Sequence, residues 1–169
     1  TLPIQLLGAL APGALSLQTR EALDRVVRLN DLIIVFLHVD RVEVLKESWI
    51  FVPDEEIIFH RICEQKSFDP EMVKNGSIVM LEIMSHPGRP LVDESDERLI
   101  EEAKIGLKKM GHSDLDIINQ KVIRLRSSYP VFMPGYEQDL EKALVELDSL
   151  SNFKTVGRQG AFNYIGTLD

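Results

Sequence analysis

The chain has 169 residues, 44% hydrophobic and 27% charged, which fits one ordinary globular domain with ample material for a buried core. Its 19 basic and 27 acidic residues leave a formal net charge of −8, which argues against nucleic acid as a partner because phosphate recognition needs a basic surface. No apolar run approaches the ~20 residues that cross a bilayer, so no transmembrane segment is expected, and the single Cys63 excludes an intrachain disulfide and a cysteine-built metal site.

The opening, up to Pro12-Gly13, reads as an apolar connector packed on the body. Ser16 then offers an N-cap to "LQTREALDRVVRLN", which places Ala22, Leu23, Val26 and Val27 on one helical face and stops at Asn30. "DLIIVFLHV" is a continuous apolar, β-branched run and is predicted to be a central strand covered on both faces. "SWIFVP" and "IIFHRIC" flank the acidic Asp54-Glu55-Glu56 and are predicted to form a hairpin. "NGSIVMLEIM" continues as a further strand, with Glu82 its one charged exception.

The clearest helix follows. Ser95 or Asp93 can cap it, acids fill its first turn, and Lys108, Lys109 and Gly111 close it, all in keeping with the helix dipole and C-cap geometry. Leu99, Ala103, Leu107 and Met110 form its apolar stripe. "KVIRLRS" is predicted to be a strand, "EQDLEKALVELDSL" a helix and "FKTVGR" a last strand. The order is helix, four strands, helix, strand, helix, strand. Consecutive strands pair best as an antiparallel meander, so the expected class is α+β, a mostly antiparallel mixed sheet with helices packed on one side.

The chemistry-bearing residues are few. Neither G-x-G-x-x-G nor G-x-x-x-x-G-K-[ST] occurs, and the one spaced glycine pair, Gly157 and Gly160, reads on its own as a turn after a strand. The acidic trio reads as a solvated loop, since catalytic carboxylate pairs need surroundings that split their pKa values. The four histidines show no ligand spacing, so no metal site is expected. Strand alternation places His60 and Arg61 on opposite faces, one of which could line a cavity. Cys63 reads as a small core residue. "RLRSSYPVFMPGYEQDL" sets Tyr129, Phe132 and Tyr136 in a Pro-stiffened segment, and phenol rings suit the lining of a ligand cavity.

Four stretches carry a resemblance: the opening "TLP", "WIFVPDEEIIFHRICEQKSFDPEM", "YPVFMPGYEQDLEKA" and "VGRQGAFNYIGTLD". In this order and spacing the chain resembles the substrate-binding segment of FAD-dependent amine-oxidase-like oxidoreductases. Its nearest branch there is the protoporphyrinogen-oxidase-like proteins, related to UDP-galactopyranose mutases. The resemblance implies a FAD-linked reductase C-terminal-domain-like fold. It implies that residues 1–156 form the substrate domain of a larger flavoenzyme, with 157–169 beginning the return into a FAD-binding domain that lies outside this chain. A start without methionine agrees with a piece cut from something longer.

For the cofactor, the resemblance implies that Gly157 and Gly160 let the backbone approach FAD and that Arg158 offers it a fork of donors. It places Tyr164 near flavin and substrate, and Asp169 at the motif's end. The motif usually reads G-R-x-G-x-x-R-Y-x-[ND]-x-D. Here Asn163 stands for the arginine, Gly166 for the Asn or Asp, and Asp169 comes one place late. His60, Arg61, Tyr129, Phe132 and Tyr136 are the expected contacts to a small-molecule substrate. No catalytic side chain is expected, because the flavin carries the chemistry.

Further expectations are a cytoplasmic setting, an inactive isolated piece that holds no FAD, and a return segment that packs poorly without its partner domain. An apolar face meant for that domain would favour homodimers. Two other readings stand beside this one: a flavin-dependent sugar-nucleotide mutase, and an α+β binding module with no cofactor.

Overall fold

In a computed structural model of the chain, the described residues are 4–6, 13 and 15–164. Most of the expected opening connector, and Gly166 and Asp169, lie outside them. The chain divides into two compact units: Asp31–Leu125, and the two flanks 1–30 and 126–169. Each has its own apolar core. The class is α+β.

The first unit holds most of a five-stranded sheet of β1 (Arg28–Val39), β2 (Trp49–Phe51), β3 (Arg61–Glu64), β4 (Ser77–Ser85) and β5 (Ile117–Val131), the start of β1 and the end of β5 falling in the second. The order across it is β2-β3-β4-β1-β5. Strands β2, β3 and β4 form the expected antiparallel meander. The meander does not extend to β1, which pairs with β4 in a continuous register from Asp31↔Ser85 to Val39↔Ser77. The reason is length. The 12-residue β1 can satisfy its backbone groups along the 9-residue β4 but not along the 3-residue β2.

Strand β1 also departs from the expectation of two covered faces. Ile33, Val35, Leu37 and Val39 are fully buried, whereas Ile34, Phe36 and His38 on the other face are only partly so. A continuous apolar run states that both faces shun water, not that something covers both. The hairpin forms, but only Arg61 to Glu64 of "IIFHRIC" is strand. Ile57, Ile58 and Phe59 reach the same core from a turn closed by Ile57 N–H to Asp54 C=O. Before β4, Gly76 turns the chain at φ +70°, where a Cβ would lie 2.0 Å from the Val39 carbonyl oxygen. No other residue type fits there.

Helix α1 (Leu17–Val26) belongs to the second unit and α2 (Asp96–Lys109) to the sheet unit. Ser95 is the cap of α2, its hydroxyl accepting from Arg98 N–H at 3.2 Å. Asp96 and Glu97 sit in the first turn and Lys108 and Lys109 in the last. The buried stripe Leu99, Ile100, Ala103 and Leu107 joins Ile33, Val35, Leu37, Val79, Leu81 and Ile83 in one core. The carboxylate of Glu64, 2% exposed, takes the backbone N–H groups of Val44 and Leu45 and pins the crossing from β1 to β2.

In the second unit α1 packs against α3 (Tyr136–Asp148). Ser16 caps α1 through Thr19 N–H, and the Glu146 carboxylate accepts from both the backbone and the hydroxyl of Ser16. Leu23 and Val27 meet Leu140, Ala143 and Leu147 in the core. Helices α1 and α3 thus share a core of their own within this unit. The expected last strand does not form. Val156 is extended but unpaired, and a four-residue helix α4 (Gly157–Gly160) follows. Among the described residues no helix is long and apolar enough to cross a membrane.

Candidate functional site

The second unit gathers five of the residues singled out from the sequence. Tyr129 lies near the end of β5, Phe132 just beyond it, and Tyr136 at the start of α3. Gly135, at φ +80°, makes the tight reversal between the last two. That reversal stacks Phe132 on Tyr136 with centroids 4.7 Å apart. Phe162 meets both rings edge-on, at 5.6 and 5.9 Å, and is 1% exposed. Tyr164 closes the cluster, 5.2 Å from Phe132 and 5.9 Å from Tyr129, with about half its surface open.

Arg158, on α4, lies against this cluster. Its guanidinium carbon is 4.7 Å from the Tyr129 ring centroid and 6.0 Å from that of Tyr164. Two ring faces hold the cation by their quadrupoles. Its Nε is buried and has no hydrogen-bond partner among the described residues. Two non-glycine residues with left-handed backbone flank the cluster, Ser127 at φ +54° and Phe162 at φ +49°. Gln159 Nε2 donates to the Ser127 carbonyl at 2.7 Å and ties α4 to β5. Such backbone is held only where surrounding contacts fix it.

Gly157 and Gly160 are buried within this chain, and Phe162 fills its core. The return segment is therefore well packed as far as Phe162, contrary to the expectation of poor packing. Burial of this segment within the chain itself counts against a domain crossing there.

His60 and Arg61 belong to the sheet unit. Arg61 Nη2 contacts both carboxylate oxygens of Glu82, at 2.5 and 2.7 Å, and Glu82 is 2% exposed. His60 does not point to the opposite face. Its Nε2 lies 3.9 Å from Glu82 Oε2, so both side chains converge on one carboxylate. The alternation does not hold at His60, which lies in a bend just before β3. Burial lowers the His60 pKa, against the opposing pull of Glu82 and with help from the Arg61 charge. Burial likewise pushes the Cys63 thiol up, which leaves it a poor nucleophile.

The His60 shift gives a pH signature. A folded-state pKa below the free value means that the unfolded chain binds the proton more readily. Stability is then complete above about pH 6.5 and falls as the pH drops through and below that value. His60→Gln is expected to lose less stability than the parent between pH 7.5 and 5.5, measured by urea denaturation. Equal losses in both would remove His60 from the balance.

Sequence reasoning missed Phe162 and the role of Glu82. A signal for Glu82 existed: one acid in an apolar strand and one arginine in a neighbouring apolar strand. The acidic Asp54, Glu55 and Glu56 are exposed, as expected.

No family model matches the chain, and no curated protein does. Solved structures do match in fold. One is a reduced UDP-galactopyranose mutase, with a TM-score of 0.81 and 19% identity, covering 97% of this chain and 36% of that protein. Another is designated a protoporphyrinogen oxidase, from Exiguobacterium sp. 255-15, with a TM-score of 0.68 and 17% identity, covering 90% of this chain and 33% of that protein. The chain thus spans about a third of the length of the structures it resembles.

Proposed function

We propose that this chain is the substrate-binding segment of a larger FAD-dependent oxidoreductase, in which residues 157–169 begin the return into the FAD-binding domain. The observation that carries the reading is Arg158, whose guanidinium lies over Tyr129 and near Tyr164 and whose buried Nε has no hydrogen-bond partner among the described residues. The shared fold and the one-third coverage support it. Arg158 and Tyr164 fit a cofactor role, one as a donor fork and the other as a half-open ring. Gly157 and Gly160 fit less well, since this chain already buries them. Asp169 keeps its proposed cofactor role on the resemblance alone.

When bound, the flavin would accept electrons from the substrate. The chain's own residues would orient that substrate and exclude water. In the second unit Tyr129 and Tyr136 offer ring area with hydroxyl handles and Phe132 ring area alone, and in the sheet unit, taken by itself, Arg61 and His60 offer a polar contact beside Glu82. A cytoplasmic setting goes with this reading, since a single free, buried Cys63 suits a reducing compartment.

In the full parent reading frame, Arg158→Met is expected to weaken FAD retention at least tenfold. Flavin fluorescence of the gel-filtered protein reads this directly. Arg158→Lys should recover part of it, as a charge without the fork. Unchanged retention in Arg158→Met would remove Arg158 from the cofactor site.

The higher TM-score of the two matches favours a second reading, a flavin-dependent sugar-nucleotide mutase. Turnover of a sugar nucleotide with no net consumption of an electron acceptor would select it over an oxidoreductase.

A further inference from the structure

Strand β2 is an edge of the sheet, and its outer side has no partner strand among the described residues. The ladder to β3 fixes which backbone groups point outward. Val52 N–H donates to His60 C=O at 2.8 Å, and Glu64 N–H to Ser48 C=O at 3.1 Å. Residues 48 and 52 therefore turn their amides and carbonyls inward, and by antiparallel alternation Ile50 does too. Trp49 and Phe51 then point both backbone N–H and C=O away from the sheet. Their side chains are also exposed, at 54% and 65%. Both lie on one face, opposite Cys63 and Arg61 in the register.

An edge that leaves backbone groups unpaired beside two exposed aromatic residues is a template for strand addition. We propose that it pairs with a second copy of this chain, β2 against β2, about a two-fold axis through Ile50. The geometry is self-complementary. An antiparallel pairing centred on Ile50 sets Trp49 of each copy opposite Phe51 of the other, and these are the positions whose backbone groups face outward. Two such pairs close four backbone hydrogen bonds and two aromatic cross-strand contacts on the same sheet face.

Charge agrees with this choice of occupant. The same axis brings the Lys46 end of one copy to the Asp54 end of the other. Lys46 and Asp54 are both exposed, and neither has an ion-pair partner among the described residues. The interface is isologous, so it closes at two copies rather than propagating. Pro53 directly after the strand limits any longer edge. The contact is short and belongs with weak, concentration-dependent interfaces.

Trp49 is the only tryptophan and sits on this edge, so in the folded protein a change in its emission with concentration reports the edge. Sedimentation equilibrium of the chain from 1 to 300 μM is expected to show the mean mass rising from 19.2 kDa toward twice that value. The Trp49 emission should shift to the blue over the same range. Phe51→Pro removes an outward N–H without touching the ladder to β3, and should abolish both changes. Trp49→Lys, at an exposed side chain, should hold the mass at that of the monomer if the proline variant fails to fold. A monomer with constant emission up to 300 μM would overturn the proposal and leave the edge to a different partner. A dimer that persists in Trp49→Lys would overturn it as well, by placing the interface elsewhere.

Discussion

Replacing Glu82 with alanine is expected to cost about 3–5 kcal/mol, one of the two largest single losses expected in this chain. The cost does not come from the worth of the ion pair itself. Glu82 is 2% exposed, and Arg61 holds both its oxygens from the neighbouring strand of the sheet. Taking the carboxylate away leaves a largely buried guanidinium with its principal counter-charge gone. Arg61 also lies over the Phe51 ring, 5.7 Å from its centroid, so its side chain cannot swing out freely. The thermal midpoint should fall by roughly 10 °C or more.

Removing both charges should cost much less. Arg61→Met with Glu82→Leu puts apolar volume where two ions stood, and such exchanges are often neutral. Trp49 lies in the sheet unit, so its fluorescence follows this unfolding. A loss below about 1 kcal/mol in Glu82→Ala would mean that water reaches the pair and that the carboxylate is not desolvated.

Phe162→Ala is the second large effect, also about 3–5 kcal/mol. The ring is 1% exposed and joins Ile4, Leu15, Leu23, Leu140 and Leu147 in the second core. It also braces Phe132 and Tyr136 edge-on, so the cluster around Arg158 should loosen with it. All three tyrosines, 129, 136 and 164, lie in this unit, and the near-ultraviolet dichroism of tyrosine follows their packing. That signal should weaken in Phe162→Ala while the Trp49 emission stays put. Phe162→Gly removes the same ring but suits the φ of +49°, so it should be little worse than alanine despite its greater freedom when unfolded. A glycine variant much less stable than the alanine one would show that the left-handed backbone there costs nothing.

Local features were legible in the sequence because local physics sets them. Ser16 and Ser95 cap the helices they were expected to cap, since a capping hydroxyl needs only the amide three residues on. The stripe Leu99, Ala103 and Leu107 follows from 3.6-residue periodicity. The α+β class followed from the order of elements.

What was not legible depends on partners distant in the chain. Nothing in "DLIIVFLHV" says that β4, some forty residues on, is its neighbour, or that Phe36 and His38 lie on the less covered face. "FKTVGR" has strand composition but no strand left to pair with, and so stays unpaired until α4. His60 and Arg61 were noticed together, yet only the register Arg61↔Glu82 explains why both matter. The aromatic site was legible in part. Tyr129, Phe132 and Tyr136 are close in sequence, and the resemblance brought in Arg158 and Tyr164, whereas Phe162 is recognised only once the core is seen.

The most direct test of the flavoenzyme reading is a visible absorption spectrum of protein purified from the full parent reading frame, beside the same spectrum of this chain. The expected result is a yellow parent whose flavin absorption bleaches with substrate, and a colourless chain. A parent that is colourless and takes up no added FAD would contradict the reading and leave an α+β binding module in its place.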